Sequence, residues 1–176
     1  MTNSMTGNIT VTITTPSDRE AVVTRAFNAP AALVFDAVTK AELIQRWYGP
    51  PGSLESCESD ARVGGSYRFV MKVGGGKQMI KYGVYKEMDP PRRFVRTERY
   101  EGWDIAESLM IVELVEHDGR TTLTQRFVFP SQEVRDMVMK TGLTTQGMSA
   151  FYERLDVLLA ADQGSGIGDQ GSGMRR

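Results

Sequence analysis

The chain has 176 residues, with 21 Lys and Arg against 22 Asp and Glu and with one Cys and one His, a length that fits one domain around one sizeable core. Charges this nearly balanced lack the positive field that draws proteins to nucleic acid or anionic lipid, and a lone Cys and His exclude an intrachain disulfide and a Cys/His zinc site. Apolar runs fall far short of the roughly 20 residues of a membrane span and the polar start lacks a signal peptide, so a cytoplasmic protein without metal or cofactor is expected.

Residues 9–14 alternate apolar side chains with threonine and read as a short strand, ended by the turn cluster Thr15-Pro16-Ser17-Asp18. A second strand over 21–27 meets Asn28-Ala29-Pro30, where proline suits a first helical turn because its missing N–H has no intrahelical partner. Leu33, Val34, Ala37 and Val38 then recur at helical spacing, and Thr39 with Glu42 predicts a capping box for a second short helix through Trp47. Gly49-Pro50-Pro51-Gly52 ends it.

From 54 to 129 the pattern is strands separated by turns, the mark of an antiparallel sheet. Tyr67, Phe69, Met71 and Val73 share one face and Arg68 and Lys72 the other, with Gly74-Gly75-Gly76 as hairpin tip to a strand over 77–87. Strands over 93–100, 108–115 and 121–129 follow, the last two joined by the tight turn His117-Asp118-Gly119. Pro130 stops the sheet, Ser131 caps a helix interrupted at Gly142, and a final helix is expected over 144–161. Its Met148, Phe151, Tyr152, Leu155, Leu158 and Leu159 form one apolar stripe that must face the sheet. Residues 1–8 are expected to be a flexible start, and 162–176, mostly Gly, Ser and polar residues, a disordered tail.

One narrow helix covering a long curved sheet leaves room for a pocket. Gly147 either opens a hole in that cover or permits close packing against the sheet.

The runs Thr24-Arg25-Ala26-Phe27-Asn28-Ala29-Pro30, Leu33-Val34-Phe35-Asp36-Ala37 and Arg46-Trp47-Tyr48-Gly49-Pro50-Pro51-Gly52, followed by Arg62-Val63-Gly64-Gly65-Ser66-Tyr67-Arg68, Gly119-Arg120-Thr121-Thr122 and Tyr152-Glu153-Arg154-Leu155, appear in order. Together they resemble the Hsp90-ATPase-activator-homologue branch of the START-like (SRPBCC) superfamily, over roughly residues 9–161 as a single domain. The resemblance implies an α+β helix-grip fold: a curved antiparallel sheet wrapped around a long C-terminal helix, two short helices near the N-terminus, and a deep apolar cavity. Relatives in this superfamily include lipid carriers, hormone receptors, polyketide cyclases and co-chaperones, so the fold leaves the activity open. The residues ahead of Ala21 are too few for the separate N-terminal domain of the chaperone activators.

Conventional catalytic groups are scarce. His117 sits at a hairpin tip, which removes a Ser-His-Asp triad. Gly74-Gly75-Gly76-Lys77 lacks the remaining residues of a phosphate loop. Cys57 lies beside Glu55 and Glu58, whose charge discourages a thiolate, and these with Asp60 read as a solvated strand edge, not a cation site.

Alternation instead places Gln125 among Leu123, Phe127 and Phe129, and Arg96 and Glu98 beside Phe94, on inward faces. They either orient an apolar ligand, or satisfy one another, or belong to a strand whose faces are assigned one residue out of register. Trp47, Tyr67, Phe69, Met71, Met79, Phe127 and Phe151 are candidates to line a cavity or are simply core. Trp103, in a loop, gates the mouth or packs on its rim.

The leading expectation is binding or transport of a small hydrophobic molecule, lipid-like or aromatic. A second is a co-chaperone-like module with a protein partner or a homodimer, docking through the apolar strand 109–115. A third is a cavity enzyme of the cyclase or hydratase kind using Arg96, Glu98 or Tyr82.

Overall fold

Side chains that alternate along extended backbone leave one wet face and one dry face, and the dry face needs a helix to cover it. The computed structural model, which describes residues 10–141 and 145–165, shows this in eight strands and four helices. Strands β1 (Thr12–Thr14) and β2 (Glu20–Phe27) precede helices α1 (Ala31–Thr39) and α2 (Ala41–Trp47). Then come β3 (Leu54–Ser59), β4 (Ser66–Val73), β5 (Lys77–Asp89), β6 (Arg93–Tyr100), β7 (Ser108–His117) and β8 (Arg120–Val128). Helices α3 (Gln132–Thr141) and α4 (Thr145–Ser165) close the order.

The sheet is antiparallel throughout and curved, in the order β1-β2-β8-β7-β6-β5-β4-β3. The two short helices carry the chain from β2 to the far edge, and a meander returns it until β8 lies beside β2. α4 lays Met148, Tyr152, Leu155, Leu158 and Leu159 against the inner face, all buried, each such side chain contributing about 1.5–3 kcal/mol relative to exposure. It continues to Ser165, past the expected end at Ala161. The expected starts of the first strand at Ile9 and of the last helix at Thr144, and residues 1–8 and 166–176, lie outside the described residues.

Two local expectations meet different fates. Ser131 Oγ accepts the Val134 N–H at 3.2 Å and caps α3. The capping box at Thr39 and Glu42 does not form: Thr39 is still in the last turn of α1, 2 % exposed, and its hydroxyl donates to the Phe35 carbonyl at 2.7 Å. The start of α1 is served from the sheet instead, where the Glu116 carboxylate accepts the Ala31 N–H at 2.8 Å.

Gly83 matters for the site. A Cβ there would lie 1.9 Å from the Thr97 carbonyl oxygen and 2.9 Å from the Tyr67 ring. With no side chain at 83, Tyr67 lies across β5 and its hydroxyl donates to the Thr97 carbonyl at 2.7 Å.

Candidate functional site

The inner face of the central strands carries Tyr67, Phe69 and Met71 from β4, Lys81 and Tyr85 from β5, and Phe94, Arg96 and Glu98 from β6, all buried. Arg96 and Glu98 are each 4 % exposed, and Arg96 lies over the rings of Tyr67, Phe69 and Phe94 and beside Glu98, so both face inward, as the alternation has them. Glu98 is shared with a second cation, Lys81 of β5, which was not among the sequence candidates. Lys81, 8 % exposed, places Nζ 3.2 Å from Glu98 Oε1, while Arg96 Nη2 stands 3.5 Å from the same oxygen.

Aromatic rings surround both cations. The Arg96 guanidinium lies 4.1 Å from the Tyr67 ring centre, with Phe69 and Phe94 at 5.5 and 5.9 Å, and Lys81 Nζ is 5.3 Å from the Tyr48 ring centre. Burial, the largest single influence on the Lys81 ammonium, lowers it, but Glu98 and the Tyr48 and Tyr100 phenols together outweigh burial and hold the group well above its usual value. Burial likewise opposes the charge on Arg96, and the surrounding phenols and Glu98 reverse the balance, so its pKa also rises. Neither group can hand over a proton near neutral pH. Burial pushes the Tyr67 phenol up as well, which keeps it neutral.

Beside Arg96 is a small cavity of about 30 Å³, room for a water or two. Helices α1 and α2 and the residue after them supply Val38, Ile44, Trp47 and Tyr48. The sheet supplies Phe69, Phe94, Arg96, Met110 and Gln125. The polar groups here are poorly matched. Arg96 Nε has no hydrogen-bond partner. Arg96 Nη2 and Gln125 Nε2 approach Met110 Sδ at 3.9 and 4.0 Å, and a thioether is a weak acceptor. Gln125 Oε1 is well engaged, accepting the Tyr152 hydroxyl at 2.6 Å.

Of the residues singled out from sequence, Trp47, Phe69, Arg96 and Gln125 therefore meet at one cavity. Tyr67 and Glu98 stand behind Arg96. Met71 and its cross-strand partner Met79 lie on the inner face toward Gly49, with Met79 only half-buried. Phe127 is buried against Phe129, ring centres 6.1 Å apart. Phe151 is half-buried 5.8 Å from the Tyr48 ring, and Gly147 is half-buried in α4. The cavity thus sits under α1 and α2, and the Gly147 to Phe151 turn of α4 does not line it. Trp103 is 40 % exposed on its loop and packs on Tyr100 at 5.3 Å. Tyr82, offered as an acid–base group, is 37 % exposed on the outer face, because it is one residue out of phase with Lys81.

Other candidates fall away on geometry. Burial, more than the neighbouring Glu58, pushes the Cys57 thiol up to about 12. Glu55 is engaged by Lys72 and Gln78 and Asp60 by Arg62. His117 is a solvated hairpin residue, its side chain 91 % exposed. No described helix is long and apolar enough to cross a membrane.

A curved antiparallel sheet closed on a C-terminal helix, with a small cavity beneath two short helices, defines a helix-grip domain of the START-like class. Within that class, residues 28–160 match the family model described as Activator of Hsp90 ATPase homolog 1-like protein, and the chain belongs to that family. Among solved structures, a protein of Rhodobacter sphaeroides is similar at 26% identity and TM-score 0.78, over 86% of this chain and 99% of its own. Protein Ms6760 of Mycobacterium smegmatis gives 24% and 0.76 over 85% and 96%, and CalU16 of Micromonospora echinospora 22% and 0.61 over 96% and 81%; both likenesses concern the fold. No curated protein matches the sequence.

Proposed function

We propose that this protein binds a small, partly apolar molecule in the cavity beneath α1 and α2. The observation that carries this reading is the pair of under-used donors, Arg96 and Gln125, in an otherwise apolar and aromatic enclosure. Small-molecule sites have this character: an apolar wall and a few convergent polar groups that orient the occupant. At about 30 Å³ the enclosure has no room for a lipid chain as it stands, so the occupant is compact and the walls give way to admit it. Tyr48 is the wall that can move. It follows α2 directly and is only half-buried. Met110, unbranched, adapts most easily behind it.

The enzymatic alternative lacks supporting groups, with Tyr82 on the outside and both inner cations held charged. The docking alternative has little more. Leu109 and Val115 are exposed on the outer face of β7, but Glu113 lies between them and pairs with Arg93 at 3.6 Å.

Proton–nitrogen NMR spectra of the purified protein, titrated with small aromatic and aliphatic compounds, test the reading. The Trp47 indole N–H, which donates to the Ala37 carbonyl at 2.8 Å, reports from the cavity wall. Binding is expected to shift it, and Val38→Phe, which fills the space, to abolish the shift. A panel of such compounds that leaves Trp47 unmoved overturns the proposal.

A further inference from the structure

We infer that the occupant carries a carboxylate, seated between Arg96 and Gln125, so that the protein's ligand is a small aromatic or aliphatic acid. This rests on the cavity reading above and narrows it to a chemical class. Three features point the same way.

The first is charge. Lys81 and Arg96 bring two positive charges to the single negative charge of Glu98, and the three side chains are each at most 9 % exposed. Among the described residues Glu98 is the carboxylate that pairs with them. A buried charge is tolerated when it is matched and hydrogen-bonded, and here one positive charge is left over. Nearby acids do not supply the balance, since Tyr67 and Cys57 are both kept protonated by burial. The rings around Arg96 soften the surplus but carry no net charge to cancel it.

The second is the direction of the donors. Arg96 Nη2 and Gln125 Nε2 reach the same sulfur, Met110 Sδ, at 3.9 and 4.0 Å, and Arg96 Nε, in a residue 4 % exposed, has no partner. Two donors converging on one weak acceptor mark the place where a better acceptor belongs. A carboxylate has two oxygens and about four lone-pair sites. One oxygen there can accept from Arg96 and Gln125 together, in charge-assisted bonds shorter and stronger than any contact to a thioether.

The third is what lies next to that point. Val38, Ile44, Trp47 and Phe94 make the rest of the enclosure apolar, so the group joined to the carboxylate is hydrocarbon or aromatic. The head group matches a cavity of about 30 Å³, and the body takes the space that Tyr48 yields.

The test uses matched pairs that differ only in charge: benzoate with benzamide and hexanoate with hexanamide, with toluene as the uncharged apolar control. Each is titrated into the intact protein while the Trp47 indole N–H is followed, and thermal unfolding of each variant establishes that it folds. The acids are expected to bind at least tenfold more tightly than their amides. Arg96→Met is expected to remove that preference, and Gln125→Leu to reduce it about threefold. Equal affinity for acid and amide in the wild type overturns the carboxylate and leaves the cavity reading standing. A Trp47 resonance indifferent to acids, amides and toluene alike overturns both. Acids that shift the Trp103 indole and not that of Trp47 bind at the surface and overturn the inference too. Should Arg96→Met fail to fold, Gln125→Leu decides, and an undiminished acid preference in it counts against the proposal.

Discussion

Two arginines, Arg25 on β2 and Arg96 on β6, are alike in burial and opposite in settlement. Each is 4 % exposed, each lies over aromatic rings, and each has an Nε without a partner. Arg25 is otherwise complete. Its Nη1 donates to the Tyr152 carbonyl at 2.9 Å and its Nη2 to Asp156 at 2.5 Å, one cation to one carboxylate, so it ties β2 to α4. Among the described residues Arg96 shares its one carboxylate with Lys81, and the same Nη2 that faces Glu98 otherwise reaches only the Met110 sulfur. An orphaned Nε is therefore no mark of a site by itself. Charge balance and the quality of the acceptors separate a structural latch from a group held ready for a partner.

Glu98 is where that distinction breaks hardest. Glu98→Gln leaves Lys81 and Arg96 buried with no anion between them, and removal of one partner from a buried ionic group costs about 3–5 kcal/mol. The loss should appear as a lower denaturant midpoint in chemical unfolding. A cost below about 1 kcal/mol would mean that the aromatic rings, and not Glu98, hold the two cations.

Arg25→Met should cost somewhat less, about 2–3 kcal/mol, because Asp156 is 34 % exposed and regains water when its partner goes. The same unfolding experiment checks it. Loss of the latch should also loosen the α4 backbone around Tyr152, seen as faster amide hydrogen exchange there than elsewhere in α4.

The frame of this contrast was legible in the sequence, while its decisive member was not. Period-two alternation puts Arg96 and Glu98 in phase with Phe94, and Gln125 with Leu123 and Phe127, so their inward faces follow from the chain alone. The stripe from Met148 to Leu159 likewise identifies the helix that covers them. Lys81 shares the phase of Met79 and Tyr85, but the intervening Gly83 and the polar residues of that run hide the pattern, and its meeting with Glu98 depends on the β5 to β6 register. Tyr48 belongs to no period at all, since it follows α2 in a turn. The cavity's position beneath α1 and α2 depends on how those helices dock, through contacts such as Trp47 Nε1 to the Ala37 carbonyl, which local pattern does not encode. Thr39 shows the same limit at small scale, where a capping signature is overridden because α1 runs one residue further than a cap allows.

The surplus charge should also be felt at Cys57. Burial raises this thiol from 9.0 to about 12, and the Arg96 cation is the main influence pulling it back down. Because the folded pKa lies above the unfolded one, the stability linked to Cys57 is fully present below pH 9 and falls as pH rises toward 12. Relative to Cys57→Ala, the wild type should lose about 1 kcal/mol by pH 10, measured by chemical unfolding at a series of pH values. In an Arg96→Met background the same comparison should show no smaller loss. A clearly smaller loss would mean that the guanidinium raises the thiol's pKa, opposite to the effect of a neighbouring cation.

The smallest expected effect is the most telling. Arg96 is as buried as Arg25, so burial alone predicts that Arg96→Met and Arg25→Met are equally damaging. Charge balance predicts otherwise. Removing Arg96 leaves Lys81 and Glu98 as a one-to-one pair 3.2 Å apart, and methionine, similar in reach, keeps the apolar contacts with Tyr67, Phe69 and Phe94. Replacing an imperfectly matched buried charge with a packed apolar side chain is often neutral or stabilising, so the change should fall within about 1 kcal/mol of the wild type in either direction. Loss of the cation–π contacts works against this gain and keeps it small. A cost near that of Arg25→Met would show that Arg96 is a second structural latch, fully settled by its rings and Glu98. A near-neutral result would identify a charge whose burial serves something other than the fold.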